Sequence, residues 1–365
     1  MVKSCYIHIP FCNTICSYCD FCKMYYHKKF VKDYFKKLKE EINRDYQGEV
    51  LDTIYIGGGT PSCLSYSELE ELFEILSVLK KNKSIEYTIE CNLESITIEK
   101  IKLFVLNGIN RISIGIESID SNNLLLLDRK FDKEECISKI KMIRDSGIKN
   151  LNLDLMYALP DESMDILKKD LEFLLSLEPE HISTYSLIIE DHTKLGIHRI
   201  KNISDDVDFD MYQMICHLLK ENGYHHYEIS NFAKEGGYSK HNLCYWKNLE
   251  YYGFGLGASS YINSIRKSNT RSLEQYPISC DLEEVNKEQK MEYEILLGLR
   301  LLDGIDLLEF YKKYNIELIE IYPYSDLVDM GLLIEDDHHL RIPEDKIYVS
   351  NEIIVKLLEK KDLVC

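Results

Sequence analysis

Three cysteines near the start of the chain, Cys12-x3-Cys16-x2-Cys19, are the residues best suited to chemistry. Thiolates at this spacing can converge on one soft metal centre, and iron–sulfur clusters are held by sulfur ligands of this kind. Their number matters as much as their spacing. Three ligands on a four-iron cluster leave one iron without a protein donor, and an open coordination position lets a metal site take a substrate. On the cysteines alone, three unrelated core thiols and a zinc knuckle completed by Cys22 are the rivals, although zinc sites favour C-x2-C pairs matched by a second pair or by histidines.

The surrounding pattern supplies a scaffold. Strand-like runs at Tyr6–Ile9, Thr53–Ile56, Glu86–Glu90, Arg111–Ile116, Asn152–Met156 and His181–Ser186 alternate with helical segments such as Phe30–Asn43, Ser67–Lys80 and Asp132–Ser146. Ser67 and Glu70 read as a capping box. Six strands each followed by a helix predict a parallel sheet, doubly wound or rolled into a partial barrel. In both, ligands gather at the C-terminal strand ends. The remaining motifs fall there: Gly57-Gly58-Gly59-Thr60-Pro61 after the second strand, Glu90 on the third, Glu117 on the fourth and Asp154 on the fifth. A glycine turn lets a ligand approach the backbone and leaves amides and carbonyls free to bond it. Singly, such a turn is only a turn, and Glu90, Arg129 and Asp154 are surface ion-pair residues.

Composition narrows the class. At 365 residues the chain can bury a large core and hold more than one domain. Its 45% hydrophobic and 29% charged residues read as a soluble globular protein. No stretch approaches the ~18 apolar residues of a membrane span. Met1-Val2-Lys3-Ser4-Cys5-Tyr6 runs into a strand pattern without an apolar leader, so export is not expected. Twelve cysteines then point to a reducing cytoplasm and metal binding rather than disulfides. A formal charge of −18 argues against a nucleic-acid partner and against broad adhesion to anionic lipid.

In order along the chain, these motifs resemble the radical S-adenosylmethionine (SAM) superfamily, in which C-x3-C-x2-C holds a four-iron cluster and SAM chelates the unique iron. The flanks Tyr6-Ile7-His8-Ile9-Pro10-Phe11-Cys12 and Cys16-Ser17-Tyr18-Cys19-Asp20-Phe21 look like the oxygen-independent coproporphyrinogen III oxidase group, including its haem-chaperone branch. The resemblance implies a partial (β/α)6 barrel in which Cys12, Cys16 and Cys19 hold a [4Fe-4S] cluster. Tyr6, Tyr18, Gly58, Gly59, Thr60, Glu90, Glu117, Arg129 and Asp154 would surround SAM. The glycine turn is expected to meet the amino group of SAM, and Arg129, a planar two-pronged donor, its carboxylate. A reduced cluster would pass one electron into the sulfonium to give a 5′-deoxyadenosyl radical, which makes an electron donor an implied partner. Glu117 and Glu162 stand where the family usually has Gln, and Ala158 where it has Gly; Glu keeps the acceptor oxygens but loses the amide donor.

Three regions are expected: a core domain over 1–230, a loop-rich segment over 231–280, and a mainly helical domain over 281–365. The last shows helical patterns at Glu288–Leu302, Leu307–Tyr314 and Ser350–Lys360 and a hairpin at Leu332–Ile342. Helices with a small wing invite a winged-helix, DNA-binding reading. With 10 Lys+Arg against 21 Asp+Glu, this region carries −11 and reads instead as a structural or substrate-covering module.

Two functions share such a site: oxidative decarboxylation of coproporphyrinogen III, and haem delivery by a chaperone. The decarboxylases resembled here carry a longer N-terminal extension and a fourth cysteine two positions after the third. In this chain the motif starts after eleven residues and the next cysteine, Cys22, comes three positions on. His241-Asn242-Leu243-Cys244-Tyr245-Trp246 matches the His-Asn-x-x-Tyr-Trp mark of the chaperone branch, linked there to haem. Imidazole is a common haem-iron ligand and aromatic rings can cover a porphyrin face, which makes His241, Tyr245 and Trp246 the haem candidates. On the residues alone His241 reads first as a hydrogen-bonded packing histidine, and Cys244, His225 and His226 are rival ligands. Gly253, Gly255 and Gly257 fit either a flat ligand or a turn against the barrel. The expectation is a cytoplasmic haem chaperone holding a [4Fe-4S] cluster, SAM and haem. It would serve apo-haemoproteins, including acceptors at the membrane, with a homodimer left open. Cys63, Cys91, Cys136, Cys216, Cys280 and Cys365 read as small hydrophobes.

Overall fold

Strand order decides the architecture. In the computed structural model, which describes residues 1–363 and so leaves Cys365 outside, six strands pair in parallel in the order of the chain. They are β1 (Ser4–Ile9), β2 (Leu51–Gly58), β3 (Lys81–Cys91), β4 (Arg111–Glu117), β5 (Asn150–Tyr157) and β6 (His181–Ser186). A parallel sheet in sequential order has no switch point, so it winds one way and keeps its crossover helices on one side. That removes the doubly wound option and leaves the partial barrel. The crossovers include α1 (Lys28–Asp45), α2 (Tyr66–Leu76), α3 (Ile98–Leu106), α4 (Lys133–Asp145) and α5 (Met164–Ser176).

The two faces of the sheet differ because side chains alternate along a strand. One face carries Ile7, Ile54, Ile56, Ile89, Ile112, Ile114, Leu151, Leu153 and Ile182, all buried in the core formed with the helices. The other carries Tyr55, Glu90, Arg111, Ser113, Asn152, Asp154, Ser183 and Tyr185, which line a shared cavity. Helix α2 is capped two residues earlier than the sequence pattern implied. Its capping box is Ser65 with Glu68, not Ser67 with Glu70, because Ser65 is the residue left extended outside the first helical turn.

The barrel stays open, since β1 and β6 each take other partners. Beyond β6 lie β8 (Asn231–Ala233) and then β7 (His225–Glu228), both antiparallel to their neighbours, with α6 (Asp205–Glu221) leading into them. Beside β1, β9 (Tyr251–Phe254) adds in parallel, followed by β10 (Ser259–Ile262), β11 (Ile265–Asn269) and β12 (Cys280–Glu284), antiparallel in turn. The stretch expected to be loop-rich therefore holds strands of the main sheet and a short helix, α7 (Lys240–Trp246). Its strands are short and pair with distant segments, so periodicity within the segment does not reveal them. The glycines serve the turn, not a flat ligand: a Cβ on Gly253 would lie 1.7 Å from the Ser259 carbonyl oxygen, and Gly255 (φ +108°) packs on Tyr34. Glu41 of α1, fully buried, ties this strap down by accepting from Gly255 N, Asn269 Nδ2 and Tyr276 and by pairing with Lys267 at 3.0 Å.

The C-terminal part is mainly helical, with α8 (Lys287–Gly298), α9 (Leu307–Tyr314) and α10 (Ser350–Leu358). Its small sheet runs β13 (Ile305–Asp306), β15 (His339–Arg341), β14 (Ile334–Asp336), and β14 and β15 form the expected hairpin.

Candidate functional site

The concave face of the sheet encloses a cavity of about 430 Å³ at the C-terminal strand ends, with Cys12, Cys16 and Cys19 along its wall. The cysteine loop leaves β1 and is pinned at its base by Phe11–Cys12 pairing with Met24–Tyr25. Burial pushes the Cys12 thiol up to about 11 and raises Cys16 also, so iron has to displace protons to bind here. Among the described residues no three His, Cys, Asp or Glu groups converge tightly enough for a single metal ion. Three thiols lining one cavity are donors of the kind that hold an iron–sulfur cluster. Cys22 does not line the cavity: it is buried against Gly257, whose Cβ would lie 2.6 Å from that of Cys22. The fourth sulfur needed for the zinc reading is thus turned away.

Each glycine of the turn after β2 is required by a neighbour. A Cβ on Gly57 would meet the Glu90 carboxylate at 2.8 Å, on Gly58 (φ +116°) the His8 ring at 2.6 Å, and on Gly59 the Phe11 carbonyl at 2.8 Å. The amides are not free, as the sequence led one to expect. Gly58 N donates to Glu90 Oε2 (2.9 Å), Gly59 N to the Ile9 carbonyl (2.8 Å) and Thr60 N to the Phe11 carbonyl (2.8 Å). A ligand can meet this turn only through carbonyl oxygens and the Thr60 side chain, acceptors suited to a cationic amino group. Glu90 also accepts from Tyr55 (2.8 Å), and burial lifts its carboxyl to about 7.

Glu117 and Arg129 form the most constrained pair. Glu117, at the end of β4 with φ +60°, accepts from the Tyr18 hydroxyl at 3.0 Å, and its other oxygen lies 2.7 Å from Arg129 Nη2. Arg129 Nη1 also reaches Asn92 Oδ1 (3.4 Å) and Cys16 Sγ (3.8 Å). Gly115 makes room, because a Cβ there would lie 2.5 Å from Glu117 Oε1. Burial raises the Glu117 carboxyl against the pull of Arg129. Asp154 accepts from Asn152 Nδ2 (2.7 Å) and is raised by burial. Ala158 has φ +60°, the left-handed conformation that explains glycine at this point in the family pattern. Glu162 is buried, accepts from Leu159 N and Asn123 Nδ2, and is pushed up to about 8 by burial. A neutral Glu162 keeps much of the hydrogen-bonding shape of Gln.

Tyr6 and His241 lie at the floor. The Tyr6 hydroxyl is 3.0 Å from His8 Nδ1, and His8 Nε2 donates to the Cys22 carbonyl at 2.7 Å, so Nδ1 is the acceptor of the Tyr6 proton. Tyr6 lies beside Tyr55 and His241, its ring tilted against each, and does not line the cavity. His241 is 1% exposed; its Nδ1 lies 2.8 Å from Thr53 Oγ1 and its Nε2 2.8 Å from the Tyr245 hydroxyl. Burial holds its ring neutral, at about 3. Glu86 accepts the amides of Lys240 and His241, which docks α7 under the barrel. His241 and Tyr245, four residues apart, share the face turned to the floor, whereas Leu243 and Trp246 face a second cavity of about 440 Å³ against the C-terminal helices.

The sequence reading missed Tyr55, Arg111, Ser113, Asn152, Ser183 and Tyr185. The available signal was the polar residue at every second position of each strand. Arg111 is 2% exposed, its Nε has no hydrogen-bond partner among the described residues, and its charge pulls down on the Glu90 and Asp154 carboxyls that burial raises.

Comparisons agree with this geometry. Residues 6–174 match the radical SAM superfamily and residues 285–345 the HemN C-terminal domain. The chain is 36% identical to the heme chaperone HemW of Lactococcus lactis over 371 residues, covering 98% of this chain and 97% of that protein. It is 35% identical to heme chaperone HemW of Bacillus subtilis, covering 96% and 98%. Its fold matches the solved coproporphyrinogen III oxidase HemN of Escherichia coli, a radical SAM enzyme, with a TM-score of 0.86 over 98% of this chain and 90% of that one; at 19% identity this likeness speaks for the fold alone. On this similarity over nearly its whole length, the chain belongs to the HemW family of the radical SAM superfamily.

Proposed function

We propose that the protein is a cytoplasmic haem chaperone that carries a [4Fe-4S] cluster and SAM in the barrel and delivers haem to apo-haemoproteins, including acceptors at the membrane. The observation that carries this reading is the end-to-end similarity to HemW chaperones. Cys12, Cys16 and Cys19 would ligate the cluster, the Gly58–Thr60 turn, Glu90, Arg129 and Asp154 would orient SAM, and Glu117, paired with Arg129, would set how strongly that guanidinium meets it. Bound together, the cluster and SAM supply one-electron cleavage of a carbon–sulfur bond. The protein's own contribution is positioning and exclusion of water: α7 closes the floor, and Tyr18 and Arg129 hold Glu117 against the wall. A lumen of about 430 Å³ is the size of one small-molecule site, which SAM beside a cluster would occupy.

The test is anaerobic incubation of the reconstituted protein with SAM, a strong reductant and coproporphyrinogen III, followed by haem transfer to an apo-haemoprotein. No porphyrin conversion together with haem transfer is the expected result. Tri- and dicarboxylate porphyrins beyond a single turnover would make the protein a decarboxylase and overturn the reading.

A further inference from the structure

The chaperone reading requires a place for haem, and the histidines narrow it. His8, His181 and His241 point into the barrel, and both ring nitrogens of each are already hydrogen-bonded in buried surroundings. His226 is stacked on Phe232 at 4.4 Å, with Nε2 against the Tyr212 hydroxyl. His27 caps α1, His192 meets Asp20, and His217 meets Glu221. His198, His225 and His338 are exposed and line neither cavity. One imidazole is left that both lines a cavity and makes no side-chain hydrogen bond or ion pair among the described residues: His339, half-buried on β15.

Its cavity lies between α7 and the C-terminal domain. Trp246, Leu243, Leu249, Leu301 and Ile305 supply an apolar wall, and Tyr238, stacked on Tyr227 at 4.5 Å, closes one side. The acids nearby are partly spent: Glu294 pairs with Lys313 at 2.8 Å, and Asp306 accepts the amides of Leu308 and Glu309. Glu309 pairs with Lys312 at 2.5 Å, which leaves Asp303 on the rim, opposed by Lys247, an exposed cation at the end of α7 that can meet a carboxylate. We infer that haem docks in this cavity with His339 as an iron ligand and Trp246 against the macrocycle, while His241 is a packing residue that sets the angle of α7. This rests on the chaperone reading and adds to it the site and the ligand. It also accounts for the motif: one face of α7 anchors the helix in the barrel floor, and the other presents Trp246 to the porphyrin.

The experiment is a haemin titration of the full chain, read by the Soret band. His339→Ala is expected to shift the band and weaken binding at least about tenfold, and added imidazole to restore the wild-type spectrum. His339→Met, which keeps an axial donor, is expected to bind with a shifted band, and His338→Ala next door to behave as wild type. Leu243→Trp fills the cavity and is expected to lose haem without imidazole rescue. An unchanged band and affinity in His339→Ala, with the protein still folded by circular dichroism, would overturn the inference and leave the chaperone reading standing. Failure of the wild-type chain to bind haem would overturn that reading itself.

Discussion

Arg129 Nη2 and Glu117 Oε2 lie 2.7 Å apart inside the barrel, with 12% and 9% of their side chains exposed. A guanidinium expected to receive the SAM carboxylate thus already has a carboxylate partner. Two anions then share one cation, and the one built into the protein weakens the site for the other. Glu117→Gln should tighten SAM binding about three- to tenfold, measured by anaerobic calorimetry on the cluster-loaded protein. The unliganded chain should lose roughly 1–3 kcal/mol, because Arg129 is left buried without its counter-charge. Weaker SAM binding in this variant would mean that Glu117 is itself a ligand and not a competitor.

Glu162 sets a pH dependence. Its carboxyl is pushed up to about 8 in the fold from an ordinary 4.5, so the native state holds the proton more tightly than the unfolded chain. Below pH ~4.5 both states are protonated and nothing is lost. Between pH ~4.5 and ~8 only the unfolded chain has released the proton, so stability falls as pH rises, and above ~8 the loss is complete. Glu162→Gln removes the titrating group. Its advantage over wild type should be absent near pH 4.5 and grow to roughly 2–4 kcal/mol by pH 8.5, followed by urea unfolding at each pH. A pH-independent difference would place Glu162 in a more solvated setting.

The glycine turn can be tested by adding one carbon. Gly58→Ala combines φ +116° with a Cβ 2.6 Å from His8, a side chain held by Tyr6 and the Cys22 carbonyl. A loss of roughly 2–4 kcal/mol in stability is expected, with iron content falling in parallel as the cysteine loop shifts. Gly147→Ala, open on its Cβ side but also at positive φ (96°), is the control for backbone strain alone and should cost less.

Cysteine substitutions separate ligand from packing. Cys16→Ser should lose most bound iron after reconstitution. Cys22→Ser should retain close to the wild-type iron and sulfide content, since Cys22 is turned from the cavity toward Gly257. Loss of the cluster in Cys22→Ser alone would require a different ligand set.

Much of the fold was legible from the sequence. Each of the six core strands was anticipated, five of them to within two residues at either end and β3 five residues short at its start, because apolar residues at alternate positions form a strong local signal. The strap after β8 was not legible: its strands run four or five residues and pair with β1 and with one another across intervening turns. The cavity residues were half legible. Those in strand-end motifs stood out, whereas Arg111, Asn152 and Ser183 are ordinary polar residues until the sheet curves and turns them to one side.

By itself the sequence determined which chemical groups exist and where along the chain they recur: three cysteines at cluster spacing, and acidic or glycine motifs at successive strand ends. Those are properties of spacing, and a parallel sheet in sequential order carries strand ends to one rim whatever the details of packing. Tertiary structure alone decided what each group faces. Glu117 is twelve residues from Arg129, Glu41 is more than two hundred from Lys267, and His241 meets Thr53 across 188 residues of chain. Which face of α7 enters the barrel, and so whether His241 or Trp246 is free to meet a ligand, depends on close packing between distant segments, which leaves no local periodicity in the chain.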